Sequence, residues 1–152
     1  MLLTNHTLTG VALGLAIDNP AVLAPTAVAS HLVLDAVPHF GYDPIKGKLE
    51  APLFKVFGVL DFTASSIVTL AACLAWPHRA LNILIGVIGA DLPDLTYIPV
   101  VLFTRARIER WFPFYRPMLT FLTRIQWYEK PSGLITEVVW ASLMLWLLQG
   151  RL

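Results

Sequence analysis

The chain has 152 residues, 57% of them hydrophobic and only 14% charged, and a mean hydropathy of +0.68, far from the soluble average of roughly a quarter charged. Such a composition excludes an ordinary water-soluble domain and points to a bilayer, with the length suited to one integral membrane domain over residues 1–152. The single Cys73, set in an apolar run, excludes a disulfide framework and a multi-cysteine zinc ribbon and reads as packing. The net charge of +1 says nothing about partners, although its distribution along the chain does.

Thr7 to Ile17 is a short apolar helix candidate, and Asp18-Asn19-Pro20 stops one helix and starts the next. The N-terminal run reads as a helix of the domain more than as a cleaved signal peptide, since it has neither a basic leader nor a clear small-residue cleavage site before the second run. Ala21 to Val37 is the second apolar run, and Pro38 to Pro52 is a polar loop. Leu53 to Trp76 is long enough to span, Pro77-His78-Arg79 is a minimal turn, Ala80 to Phe103 spans back, and Leu134 to Leu148 forms the last run. The first, second and last runs fall short of the roughly 20 residues a hydrocarbon core takes, which favours tilt, local thinning or partial re-entry. The expected fold is therefore all-α, a polytopic membrane helical bundle of about five transmembrane or partly re-entrant helices.

Thr104 to Lys130 mixes Arg105, Arg107, Arg110, Arg116 and Arg124 with Trp111, Phe112, Phe114, Tyr115, Phe121, Trp127 and Tyr128. Arginine among aromatics describes an interfacial segment whose rings sit among head groups and whose guanidiniums meet phosphates. The bland reading is an anchoring loop; the sharper one makes Arg105, Arg107, Arg116 and Arg124 binders of an anionic lipid head group, because guanidinium forks match phosphate. Nucleic acid is not an expected partner, since these basic residues are interleaved with interfacial aromatics. With five spans, nine of the eleven lysines and arginines fall on one side and only Arg79 and Arg151 on the other. The positive-inside rule then puts the N-terminus in the cytoplasm of a multi-pass protein of the inner (plasma) membrane.

The same topology aligns the ionisable groups in depth. His31 and Asp35 share a helix face at i, i+4, and Pro38 ends the helix and swings His39 to its mouth. Imidazole nitrogen and carboxylate oxygen are ligands for zinc and similar divalent ions, with manganese or magnesium as alternatives. Gly89-Ala90-Asp91-Leu92-Pro93-Asp94 forms a second constellation, in which Pro93 is expected to break the helix and two nearby carboxylates to repel unless a cation or a proton lies between them, which favours a metal. His6 falls at the same depth, giving a candidate metal set of His6, His31, Asp35, His39, Asp91 and Asp94. Asp61 and Glu137 also fall there, as ligands or as the general base of a hydrolytic site. Each charge near the bilayer centre costs about 2.5–3.5 kcal/mol on insertion scales unless compensated, and a shared cation is an economical compensation. Asp18 and His78 lie at the opposite face and read as a turn cap and a loop histidine, and Met118 and Met144 read as packing.

The Gly-Ala-Asp-Leu-Pro-Asp and Ser-His-x-x-x-Asp elements, the latter extended to His31-x-x-x-Asp35-x-x-Pro38-His39, resemble those of small inner-membrane proteins grouped as membrane-bound metal-dependent hydrolases. The similarity runs from His6 through Asp94, without the His-Arg-Gly and Thr-His-Ser elements of the larger family and with the two motifs in reversed order. What it implies is a helical membrane protein with a divalent metal and phosphoesterase-like hydrolysis of a lipid or lipid phosphate, with Asp94 matching the Pro-Asp acid. Two other classes fit the same residues. One is an accessory or structural subunit whose buried charges serve assembly with a membrane-protein partner or a second copy, suited by exposed tryptophans at 140 and 146. The other is a small cation or proton transporter, for which Thr63, Ser65, Ser66 and Thr69 offer a polar stripe.

Overall fold

The computed structural model describes residues 1–40, 52–96, 108, 110–125 and 129–150. The described chain is helical: α1 (Leu3–Ala16), α2 (Pro20–Asp35), α3 (Pro52–Ala75), α4 (Ala80–Leu95), α5 (Tyr115–Ile125) and α6 (Leu134–Gln149). A two-residue parallel pairing joins β1 (His39–Phe40) to β2 (Glu129–Lys130), with His39 opposite Glu129 and Phe40 opposite Lys130.

The α1–α2 junction forms where the sequence signals place it. Asn19 caps α2 by accepting the Ala21 N–H at 2.9 Å, and Pro20 takes the first helical position, where its missing N–H costs nothing. Pro93, in contrast, does not break α4 at the carboxylates. It lies in the last turn, so it removes one helical hydrogen bond, and the helix continues through Asp94 to Leu95, where Thr96 N–H and hydroxyl donate to the Pro93 carbonyl at 3.3 and 2.5 Å. The run read as Ala80 to Phe103 thus ends as a helix at Leu95, and residues 97–103 lie outside the described residues.

The shortest apolar run of the sequence is the centre of the molecule. α1 packs against α2, α3, α4 and α6, and nine of its residues are buried, including Asn5, His6, Thr7 and Thr9. Glycine permits this. A Cβ on Gly10 would lie 2.6 Å from the Gly86 carbonyl oxygen, and one on Gly14 would lie 2.6 Å from the Asn82 carbonyl oxygen, so α1 and α4 touch backbone to backbone. Gly10-x-x-x-Gly14 is the small-residue spacing that lets membrane helices approach closely. On its other side Gly89 of α4 sits against Ala27 and the Ala24 carbonyl of α2. Leu8, Val11, Leu15, Ala72, Ile83, Val87, Met144 and Leu148 fill the apolar core, with Cys73 packed at its edge, so Met144 and Cys73 are packing residues.

Two helices, over Val56–Ala75 and Pro131–Gln149, are long and apolar enough to cross a membrane. Only 11% and 22% of those stretches are buried within the protein, whereas the core helix of a soluble protein would be mostly covered. Val59, Leu60, Ile67, Leu70 and Leu74 of α3 and Ile135, Val138, Val139 and Trp146 of α6 stand exposed. α1, α2 and α4 have 14, 16 and 16 residues, so among the described residues two helices reach a spanning length.

Candidate metal centre

Both ends of α1 are completed by other helices. Leu2, its N-cap residue, offers no side-chain cap, and the first N–H groups of a helix lack internal partners. Asp61 of α3 supplies the acceptors: Oδ2 takes the Leu3 N–H at 2.7 Å, and Oδ1 takes the Thr4 N–H at 3.0 Å and the Thr4 hydroxyl at 2.5 Å. Glu137 of α6 accepts from the Leu2 N–H (3.2 Å), the Asn5 side-chain amide (2.5 Å) and the Phe40 N–H (3.1 Å). Negative charge is also what a helix N-terminus attracts. Asp61 and Glu137, read from the sequence as a general base or ligands, therefore have their oxygens engaged in holding α1 and β1.

One turn further along α1, His6 meets His31 and Asp35 of α2. The two imidazoles stack with centroids 3.8 Å apart, and Asp35 lies against both, its Oδ1 3.1 Å from His6 Nε2 and its Oδ2 3.1 Å from His31 Nε2. The amino group of Met1 also reaches Asp35 Oδ1, at 2.5 Å. Asp94 of α4 approaches His31 Nε2 at 3.8 Å, and one ligand atom from each of His6, His31 and Asp94 lies within 4.8 Å of the others. Both histidines are fully buried, whereas the Asp94 side chain is 22% exposed, so the group opens at Asp94.

The hydrogen positions on His31 follow from its partners. Nδ1 lies 2.6 Å from the Ala90 carbonyl oxygen, which can only accept, so Nδ1 carries the hydrogen and Nε2 of the neutral ring presents its lone pair. That lone pair faces Asp35 and Asp94 without hydrogen-bond geometry to either, and His6 Nδ1 is likewise buried with no hydrogen-bond partner. On a neutral ring that lone pair would face two carboxylates, an arrangement relieved either by a proton on Nε2, which makes the 3.1 Å contact with Asp35 an ion pair, or by a metal ion. An imidazole fixed through one nitrogen by a carbonyl and offering the other is the usual arrangement of a metal-ligating histidine, and the residues present thus fit a divalent ion.

Comparison with protein-family models, with curated proteins and with solved structures returned no match. The assignment of the centre accordingly rests on its own geometry.

The remaining expected site residues are distributed around this group. Asp91, one turn before Asp94, faces α1 and α3 and accepts from the Thr7 hydroxyl at 2.9 Å. His39 is buried in β1 with Nδ1 donating to the Val37 carbonyl at 2.8 Å, and it is not part of the close three-residue group. Arg116 and Arg124 are exposed on α5, and Arg105 and Arg107 lie outside the described residues. The Tyr115 hydroxyl donates to the Thr96 carbonyl at 2.6 Å, which ties the start of α5 two residues past Asp94. At the far end of α1, Arg79 pairs with Asp18 and donates to the Leu15 carbonyl at 3.1 Å, while the Asn82 amide reaches the Ile17 and Asp18 carbonyls at 3.0 and 3.2 Å. His78 is exposed in its turn, as expected of a loop histidine.

Sequence reasoning missed Thr7, Asn5 and the ordering role of the Ala90 carbonyl. The Gly10-x-x-x-Gly14 spacing was the signal that α1 is packed on all sides, which turns every polar residue on it into a buried group needing a partner. Trp140 also differs from the exposed residue expected: it is half-buried, and its indole N–H donates to Thr9 Oγ1 at 2.9 Å, because Thr9 sits on the α1 face that meets α6.

Proposed function

We propose that this chain is an integral membrane protein of the inner (plasma) membrane in which His6, His31 and Asp94 hold a divalent ion, with Asp35 bracing the two imidazoles, and that the centre serves hydrolysis of a lipid phosphate. The observation that carries the reading is the close group of His6, His31 and Asp94, in which the fully buried His31 Nε2 has no hydrogen-bond partner and lies 3.1 Å from Asp35 and 3.8 Å from Asp94. When bound, a divalent ion supplies Lewis acidity and lowers the pKa of a water ligand from 15.7 towards about 7. The chain's own residues do the rest. Ala90 and Asp35 fix the ring orientations, Asp94 stands at the exposed edge where a substrate enters, and apolar α3 and α6 keep the centre in hydrocarbon. The tie between Tyr115 and Thr96 supports Arg116 as a residue that receives an anionic head group, and Arg105, Arg107 and Arg124 join it in this reading on the sequence alone. Zinc suits the mixed nitrogen and oxygen donors, and with the five spans read from the sequence the positive-inside bias favours a cytoplasmic position for this end.

The transporter reading is weakened among the described residues. Thr63, Ser66 and Thr69 donate back to their own helix at 2.7, 2.8 and 2.9 Å rather than lining a route, and the first two are exposed.

Elemental analysis of the untagged, detergent-purified chain beside a His31→Ala, Asp35→Ala double variant tests the proposal. Near-stoichiometric divalent metal in the wild type, lost from a double variant that still inserts, is the expected result and leads to assays on lipid phosphates. A wild type without metal after supplementation would overturn it and favour the accessory-subunit reading.

A further inference from the structure

The hydrogen bonds between helices fix how deep the candidate metal centre lies. Leu3 and Thr4 donate to Asp61 and Thr7 meets Ser65, so α1 and α3 run parallel, and His6 is level with the residue before Ser65. At about 1.5 Å per residue that level lies about 12 Å from Val56 and about 16 Å from Ala75, the ends of the apolar stretch of α3. The stretch itself is about 28 Å long and fills the roughly 30 Å of a hydrocarbon core. α6 gives the same depth independently. Asn5 donates to Glu137 and Trp140 to Thr9, which puts His6 level with Val138, about 10 Å from Pro131 at the start of the second apolar stretch.

The part of α3 before Asp61 runs past the start of α1. Its residues Val56 to Leu60 are consecutive and all exposed, and at about 3.6 residues per turn they go right round the helix. A helix that is bare and apolar on every side belongs in hydrocarbon, whereas one standing in water would keep a polar face. The overhang therefore carries the hydrocarbon layer beyond the mouth of the centre. At the centre's own level the outward surfaces are apolar too: Val33 of α2, Phe62 of α3, Leu92 of α4 and Val138 of α6 are 64%, 49%, 49% and 57% exposed. Asp94, the member of the centre that reaches the surface, follows Leu92 by two residues. A water-soluble ligand would have to bring its polar groups through that apolar layer unpaired, at a cost of a few kcal/mol each, while an amphiphile already shares the layer and arrives by lateral diffusion.

We infer that the group of His6, His31 and Asp94 lies about 10–12 Å beneath the edge of the hydrocarbon layer, below the lipid head groups, and takes membrane-dissolved amphiphiles that reach it sideways through the bilayer, not water-soluble phosphates. This rests on the reading of the chain as a membrane protein and narrows the substrate class proposed for the same site. Nitroxides placed singly by Val59→Cys, Ile67→Cys and Leu92→Cys, all exposed positions, in a Cys73→Ala chain reconstituted into phosphatidylcholine and phosphatidylglycerol vesicles test it. Power saturation in electron paramagnetic resonance reads their collisions with oxygen, which concentrates in hydrocarbon, and with a neutral water-soluble nickel chelate. Oxygen should dominate severalfold at all three positions, with depth increasing from Val59 to Leu92 to Ile67. Oxygen dominating at Ile67 but nickel at Val59 and Leu92 would keep the chain in the bilayer, lift the centre to the aqueous surface and overturn the inference alone. Nickel dominating only at Leu92 would reveal a water-filled route to the centre and overturn it as well. Nickel dominating at Ile67 too would overturn the membrane reading beneath it. The measurement needs no bound metal, so a chain that holds none answers the same question.

Discussion

At its C-terminal end α1 gives its last carbonyls to Arg79 and Asn82, and every described charge there has an opposite or a donor: Asp18 has Arg79, and Arg79 has Asp18 and Leu15. At its N-terminal end α1 receives Asp61 and Glu137 in the same way, but within the next turn, at His6 and Thr7, the polar groups are no longer all matched. Asp35, Asp91 and Asp94 crowd two imidazoles and two hydroxyls, and three buried atoms, His6 Nδ1, His31 Nε2 and Asp91 Oδ1, lack hydrogen-bond partners. Both ends satisfy the same backbone requirement, so capping alone cannot account for the surplus acceptors at one of them. An unfilled buried acceptor costs about 1–3 kcal/mol, a load that a structural end has no reason to carry. The contrast separates the end that only builds the helix bundle from the end where we propose that a metal is held.

Chelation should widen the contrast most. If a divalent ion is held at a thousandfold excess over its Kd, its removal lowers stability by about 4 kcal/mol, so metal-loaded wild type should lose Tm on adding a chelator. His31→Ala should show no such shift in the same scan, and an equal shift in both would dissolve the distinction between the ends. Asp61→Ala comes next. It strands two N–H groups and a hydroxyl at the start of α1, and denaturant unfolding should register about 2–3 kcal/mol, with partial rescue in Asp61→Asn, whose amide oxygen still accepts. Asn82→Ala removes a donor from two carbonyls at the balanced end and should cost about 1 kcal/mol in the same measurement. Asp18→Ala should have the smallest effect, within about 0.5 kcal/mol and vanishing at high salt, because the Asp18 side chain is 82% exposed and its pair with Arg79 is screened. A larger cost there than at Asp61 would reverse the assignment of the two ends.

Much of this was legible in the chain. The four-residue step from His31 to Asp35 and the three-residue step from Asp91 to Asp94 are properties of helical geometry, and alternating short helices bring His6, Asp61, Asp91, Asp94 and Glu137 to one end whatever their packing. The asymmetry of lysine and arginine and the lengths of α3 and α6 likewise need no contacts to be seen. Only the tertiary structure decided how these groups divide the work. Position along a helix specifies depth but not azimuth, and the azimuth follows from where Gly10, Gly14 and Gly86 let backbones meet. That contact makes the weakest-looking helix the central one and sends Asp61 and Glu137 to its end as acceptors. It also sets His6 over His31 and turns Asp91 away from the imidazoles toward Thr7 and Ser65.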